Sequence, residues 1–136
     1  MSRPTPVVWA VVKERDGQQC VSCGRREGLE FQHRRPEGMG GRKAVPTHVE
    51  GLTSCWVCNP KYEHVLQRKA LRPGWKVRGW VVDQGRAAEV PVFYATERAW
   101  FRLEGPARVR ISSAKALEMM LAVYGGEQYE EWRDAA

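Results

Sequence analysis

The sequence lacks any hydrophobic run long enough to cross a bilayer. Its longest apolar run, residues 7–12, has six residues, whereas a membrane-spanning helix needs about 20. The chain also lacks a basic-then-apolar leader with a small-residue cleavage site, a low-complexity tract and an internal repeat. We therefore expect a cytoplasmic globular protein whose 136 residues form one domain with short appendages.

Acidic residues are too few to balance the basic ones. The chain carries 22 Lys and Arg residues against 16 Asp and Glu residues, which gives a formal net charge of +6. Residues 34–78 hold ten basic and three acidic residues, while the rest of the chain sums to −1. A solvated surface would spread its charge more evenly, so this pattern favours docking on a phosphate backbone. We expect a nucleic acid as the partner.

Cysteine is scarce, and all four cysteines fall into two Cys-x-x-Cys pairs, Cys20/Cys23 and Cys55/Cys58. This spacing lets both thiolates of a pair point at one tetrahedral metal. The alternatives are disulfides or free thiols, which a reducing compartment and the short spacing disfavour. We expect a structural Zn²⁺, because four sulfur ligands leave no open position for water or substrate.

Local patterns predict an α+β chain. In its first half, Thr5 caps a helix that starts at Pro6 and stops at Asp16, and a strand covers 29–33. A glycine-rich basic loop over 36–46 follows. Asn59 then caps a helix that starts at Pro60 and is broken at 72–74.

The second half alternates short apolar runs with turn residues. We predict strands of a small antiparallel sheet at 80–82, 90–94, 100–103 and 109–111. Ser112 or Ser113 caps a last helix with Leu117, Met120, Leu121 and Tyr124 on its apolar side, and the acidic tail after Gly126 should fray. We place a boundary between residues 1–74 and 75–136, with both parts packed as one domain.

All three histidines, His33, His48 and His64, lie within or just beyond the 31-residue segment that separates the cysteine pairs. A lone histidine is more often structural than catalytic. Clustering in a basic segment beside a metal knuckle reverses that preference for His33, which ends the predicted strand. His48 and His64 stay open between the two roles.

Three motifs together carry a family resemblance: C-x-x-C-G at 20–24, L-E-F-Q-H-R-R-P-E-G-M-G-G at 29–41 and L-T-S-C-x-x-C-N at 52–59. Over residues 7–72 the chain resembles the HNH (ββα-metal) endonucleases, especially the small ones of actinobacterial phages. The resemblance implies a β-hairpin followed by a helix, buttressed by a four-cysteine zinc site. It also implies a metal-dependent DNA endonuclease in the cytoplasm of a bacterial host, linked to DNA packaging with a phage terminase as partner. Residues 75–136 could form the surface of a homodimer or the surface that docks on the terminase.

By resemblance, His33 is the general base that takes a proton from the attacking water. The residue before it, Gln32, would bind the catalytic Mg²⁺ or Mn²⁺, with Asn59 at the family's last motif position as a further ligand. His64 lies one residue beyond the i, i+4 helix spacing from Asn59, where it would either complete the metal site or contact a phosphate. Either His48 or Glu50 would fill the middle position that orients the catalytic histidine.

Four basic residues flank the predicted catalytic strand and are expected to contact DNA phosphates: Arg34, Arg35, Arg42 and Lys43. The alternative is a solvated run of charge. Trp75, Trp80 and Trp100 fit strand positions in a core better than stacking platforms.

Two other functions compete with the nuclease. Gln32, which lends no charge to a metal, and the missing middle asparagine favour a catalytically inactive, zinc-stabilised DNA-binding module. The cysteine pairs alone would also suit a zinc-knuckle domain that binds another protein.

Overall fold

The computed structural model describes residues 2–36 and 44–134. Within them the chain is α+β, with five α-helices and two small antiparallel sheets. The helices and strands, in chain order, are α1 Pro6–Arg15, β1 Leu29–His33, β2 Gly51–Cys55, α2 Cys58–Glu63, α3 Gly79–Asp83, β3 Val92–Tyr94, β4 Ala99–Glu104, β5 Ala107–Ile111, α4 Ser113–Tyr124 and α5 Gly126–Asp134. No helix in the described ranges is both long and apolar enough to cross a membrane.

Helix α1 begins and ends as predicted. The Thr5 side chain accepts a hydrogen bond from the Val8 N–H at 3.1 Å, and Pro6 takes the first position, where its missing N–H costs nothing. The chain leaves the helix at Asp16 and turns at Gly17, whose φ of +75° suits a residue without a Cβ.

The first sheet pairs β1 with β2 and carries α2 behind it. The register runs from Leu29 opposite Cys55 to His33 opposite Gly51, so the predicted strand is confirmed. Helix α2 starts at Cys58, before the predicted Asn59 cap, and is shorter than predicted. The backbone leaves helical geometry at His64, and one 3-10 turn over Arg68–Ala70 replaces the remaining helix.

The second sheet has the order β3-β4-β5, as the apolar runs at 90–94, 100–103 and 109–111 predict. The predicted strand at 80–82 is wrong, because these residues belong to α3. Val81 and Val82 are both buried, and adjacent strand residues would face opposite sides, whereas neighbours on a helix can share one buried side.

Helix α4 is capped by Ser112, whose side chain accepts from the Lys115 N–H. Its buried face consists of Ala116, Met120 and Val123, while Leu117 and Leu121 of the predicted apolar side are exposed. The prediction that the tail frays is wrong, because it forms α5.

One residue of the tail explains this difference. Trp132 of α5 is buried, with its ring centroid 4.5 Å from that of Tyr124 in α4. Burial of a tryptophan gives the acidic tail an apolar contact that holds it in place.

A shared core connects the two halves of the chain. Val21 and Leu52 pack with Val92, Tyr94 and Leu103 of the second sheet. The hairpin that carries the candidate site therefore rests on β3 and β4.

Candidate metal centre and active-site cleft

The four cysteines converge at one end of the β1–β2 hairpin. Their sulfur atoms all lie within 4.8 Å of one another, and the Sγ atoms of Cys23 and Cys55 are 3.7 Å apart. A disulfide would need about 2.05 Å, whereas two sulfurs bound at about 2.3 Å to a tetrahedral zinc lie about 3.8 Å apart. The four thiols are unbridged, and their cluster could hold a metal ion such as zinc.

Three parts of the chain bring the cysteines together. Cys20 and Cys23 stand in the turn after α1, which is closed by a 2.8 Å hydrogen bond from the Gly24 N–H to the Cys20 carbonyl. Cys55 ends β2 and Cys58 begins α2, and the backbone N–H of Cys58 points at the Cys55 sulfur from 3.4 Å. A metal bound here would tie all three parts to one point.

The electrostatics of the cluster require a cation if all four sulfurs are to be thiolates. Burial opposes ionisation of Cys20, but hydrogen bonds from the Ser22 side chain and backbone outweigh it and lower its pKa to about 6. Burial raises the pKa of Cys58 to about 12, and the negative charge of Cys20 adds to that rise. A bound dication would neutralise the repulsion and favour the thiolates.

A cleft of about 510 Å³ lies between β1 and α2. It is lined by Glu30, Phe31, His33, Trp56, Asn59, Pro60, Glu63 and His64. The structure therefore brings three predicted site residues, His33, Asn59 and His64, to one place.

The protonation of His33 follows from its surroundings. Its Nε2 lies 2.7 Å from the carbonyl oxygen of Ser2. A carbonyl can only accept, so Nε2 carries the proton and Nδ1 keeps its lone pair. Burial has the largest effect and lowers the pKa of His33. The hydrogen bond to the Ser2 carbonyl opposes it, and the nearby charge of Lys76 lowers the pKa further. The ring is therefore neutral near pH 7.

A buried ion pair supports the end of β1. Lys76 is fully buried, donates to the His33 carbonyl at 2.6 Å and pairs with the Glu63 carboxylate at the end of α2. This pair connects the strand that carries His33 to the helix on the other side of the cleft.

Gln32 is placed apart from the cleft. Its side chain is buried, its Nε2 donates to the Trp75 carbonyl at 2.7 Å, and its Oε1 has no hydrogen-bond partner among the described residues. Along a strand, adjacent side chains face opposite sides, so Gln32 points away from His33.

Two carboxylates in the cleft, Glu30 and Glu63, were not predicted as site residues. Glu30 accepts from the Asn59 Nδ2 at 3.0 Å. Glu63 lies four residues after Asn59 in α2, and an i, i+4 pair shares one helix face. That spacing could have identified Glu63 from the sequence.

Glu50 and His48, the two candidates for the middle motif position, form the 3-10 turn His48–Glu50 before β2. The Glu50 carboxylate accepts from the backbone N–H and the hydroxyl of Thr47, which makes a capping box. The carbonyl of His48 accepts from Arg15 at 2.7 Å. Both residues therefore fix the backbone that leads into β2.

The predicted DNA contacts are placed very differently. Arg34 is fully buried, and its five N–H groups donate to the carbonyls of Val49, Gly74, Ala87 and Val90. This burial corrects the expectation that Arg34 contacts a phosphate, because no donor is left.

The other three predicted contacts have different outcomes. Arg35 makes a two-bond ion pair with Asp83, with both distances at 3.0 Å. This pair is partly exposed to solvent. Arg42 and Lys43 lie outside the described residues.

The tryptophans divide between core and surface. Trp75 packs on Tyr62 and donates to the Phe93 carbonyl, and Trp100 packs on Phe93, as predicted for core residues. Trp80 is 44 % exposed and meets Tyr124 edge to face. Trp56, for which we made no prediction, is exposed at the cleft.

Within residues 2–36 and 44–134, the four cysteines are the cluster of histidine, cysteine and acidic side chains that could hold a metal ion. The described side chains that line the cleft include no such group of three histidine, cysteine or acidic residues with their ligand atoms this close together. Comparison of the chain with models of known protein families finds no match, and comparisons with curated proteins and with solved structures find none either.

Proposed function

We propose that the chain is a metal-dependent DNA endonuclease of the HNH type, and that a structural zinc bound by Cys20, Cys23, Cys55 and Cys58 stabilises its fold. The observation that carries the proposal is the hydrogen bond from His33 Nε2 to the Ser2 carbonyl. It leaves Nδ1 of a neutral, half-buried imidazole as a proton acceptor beside a cleft, which is what a general base requires.

The arrangement of elements supports the same proposal. A hairpin of β1 and β2 is followed directly by α2, in the order that the HNH finger requires. The cysteine cluster lies at the Leu29 end of β1 and His33 at the other end, about four residues or roughly 13 Å away. At that distance the zinc would stabilise the finger and take no part in the reaction.

The reaction that we propose is hydrolysis of a phosphodiester. His33 Nδ1 accepts a proton from a water molecule, the water oxygen forms a bond to phosphorus, and the bond from phosphorus to the 3′ oxygen breaks. The departing 3′ oxygen takes a proton from solvent. General-base catalysis of this kind contributes roughly 10²- to 10⁴-fold to the rate.

The cleft offers oxygen and nitrogen donors that suit Mg²⁺ or Mn²⁺. Asn59 and His64 on the helix side, with the Glu30 carboxylate that contacts Asn59, would hold the ion. Gln32 is left out because it faces Trp75. When bound, the ion would stabilise the charge on the phosphate and on the departing oxygen.

A plasmid assay tests the proposal. Wild-type protein with Mg²⁺ or Mn²⁺ should nick or linearise supercoiled DNA, and His33→Ala should lose at least about 100-fold of the rate while keeping its zinc and its circular dichroism spectrum. His33→Gln serves as a second variant that retains a polar side chain. Equal rates for wild type and both variants would contradict the role of His33.

The placement of Gln32 favours a second candidate, an inactive DNA-binding module. If wild-type protein binds DNA in a salt-sensitive manner but cuts none with either metal, this second function replaces the first.

A further inference from the structure

Trp56 stands out because neither the core nor the cysteine cluster accounts for its position. It is 57 % exposed, although it follows directly after Cys55 in the second cysteine turn. Its side chain lines the same cleft as His33. Exposed tryptophans are uncommon, and they concentrate where a protein binds something.

The indole is held firmly despite its exposure. The backbone N–H of Trp56 donates to the Gly28 carbonyl at 3.0 Å, and a Cβ added to Gly28 would come 2.3 Å from Cδ1 of the indole. Gly28, which has a φ of +62°, therefore lets the ring lie directly against the backbone. The ring is oriented before any ligand arrives, so little side-chain entropy would be lost on binding.

Positive charge lies beside the ring. The guanidinium carbon of Arg25 is 5.8 Å from the ring centroid of Trp56, and Lys61 is exposed on α2 next to Pro60, which lines the cleft. An aromatic plane with a cation beside it, here Arg25, is a combination by which proteins bind unpaired nucleotides, through stacking on the base and attraction of the backbone.

We propose that Trp56 is a stacking platform for an unpaired nucleobase next to the bond that is cut. In an intact duplex, neighbouring bases cover both faces of each base, so only an unpaired or extruded base can stack on the indole. The substrate class is therefore single-stranded DNA, or duplex DNA with an unpaired nucleotide. The inference rests on the proposed nuclease function, which supplies the scissile bond.

A binding experiment without added Mg²⁺ or Mn²⁺ tests the inference separately from cleavage. The probes are an oligonucleotide duplex with one unpaired 2-aminopurine and the same duplex with that base paired. Wild-type protein should bind the unpaired probe more tightly and quench its fluorescence. Trp56→Ala should weaken that binding about 5- to 150-fold, which corresponds to the roughly 1–3 kcal/mol of a base–aromatic stack, and should leave binding of the paired probe unchanged.

Two further variants control the experiment. Trp80→Ala removes another exposed tryptophan that does not line the cleft and should bind both probes like wild type. Trp56→Phe keeps a smaller aromatic plane and should retain part of the preference. Zinc content and circular dichroism show that each variant is folded.

The outcomes separate the two proposals. A preference that depends on Trp56 in a protein that cuts no DNA supports the platform and refutes the nuclease. Cleavage with equal binding of both probes by wild type and Trp56→Ala overturns the platform and leaves the nuclease standing. Binding of neither probe also overturns the platform.

Discussion

At the scale of single residues, His33 shows how a backbone contact sets the chemistry of a side chain. The Ser2 carbonyl fixes the proton on Nε2, and the Glu63–Lys76 pair lies directly behind the strand end. If His33 is the proposed general base, this main-chain oxygen from the segment before α1 would orient its ring, a role that the resemblance assigned to the middle motif position.

The lowered pKa of His33 gives a prediction about pH. Its ordinary value is 6.5, and burial, the largest effect, moves the pKa below that value against the opposing hydrogen bond to the Ser2 carbonyl. A general base must be neutral, so the cleavage rate should rise with pH. It should reach its plateau at a lower pH than it would with a histidine of ordinary pKa. Proton NMR titration, with His33→Ala used to assign the ring signal, should give a midpoint below 6.5.

Two outcomes would count against this prediction. A His33 midpoint above 6.5 would show that the hydrogen bond to the Ser2 carbonyl, rather than burial, controls the pKa of the ring. A cleavage rate that does not fall as His33 gains its proton in the NMR titration would show that His33 is not the base.

At the scale of elements, Arg34 acts as a crosslink between segments that are distant in sequence. Its guanidinium, at the end of β1, donates to Val49 before β2, to Gly74, and to Ala87 and Val90 before β3. Burial lowers its pKa to about 10, so it stays charged at physiological pH. The planar guanidinium has five N–H donors that point at these carbonyls, and no other side chain has so many donors in one rigid group.

Arg34→Lys should therefore destabilise the protein strongly. Lysine has three donors and no fork, so buried carbonyls lose their partners, and each unsatisfied buried group costs about 1–3 kcal/mol. We expect a loss of at least about 3 kcal/mol in the free energy of unfolding, measured by urea denaturation. Arg35→Lys is the matched control: the pair of Arg35 with Asp83 is partly exposed, and such pairs contribute about 1 kcal/mol or less. Equal losses for the two variants would contradict the crosslink.

The elements also show what the sequence could reveal. Caps, alternation and turn glycines predicted α1, β1, the second sheet and α4, because these signals act within a few residues. They could not predict that Arg34 would be buried, because only the folded chain brings its four carbonyl partners together. The alternation along β1 did place Gln32 opposite His33; the family resemblance, rather than the residue pattern, suggested it as a metal ligand.

At the scale of the whole molecule, a buried network joins the cysteine half to the second sheet. Asp16 is fully buried, forms an ion pair with Arg15, and accepts from the Thr53 N–H at 2.8 Å and the Tyr94 hydroxyl at 2.5 Å. It therefore ties α1 to β2 and β3. With Val21 and Leu52 packed on the same sheet, the two halves should unfold together.

This coupling leads to a prediction about zinc. The cluster fixes the turn after α1, the end of β2 and the start of α2, and a structural zinc supplies folding energy directly. Metal analysis should find about one zinc per chain. Removal of the metal by a chelator, or Cys20→Ser, should abolish the cooperative unfolding transition of the whole chain rather than of the first half alone.

The indole N–H resonances in proton NMR spectra can follow this effect, because those of Trp100 and Trp132 report on the C-terminal half while that of Trp9 reports on α1. All these signals should be lost together, and added Zn²⁺ should restore them after chelation. Ser22→Ala is the matched control in the same turn: it removes one hydrogen bond to the Cys20 sulfur but no metal ligand, so it should retain zinc. If the C-terminal half keeps its signals without metal, the metal stabilises only the β1–β2 hairpin and its neighbours, and the Asp16 network does not couple the two halves.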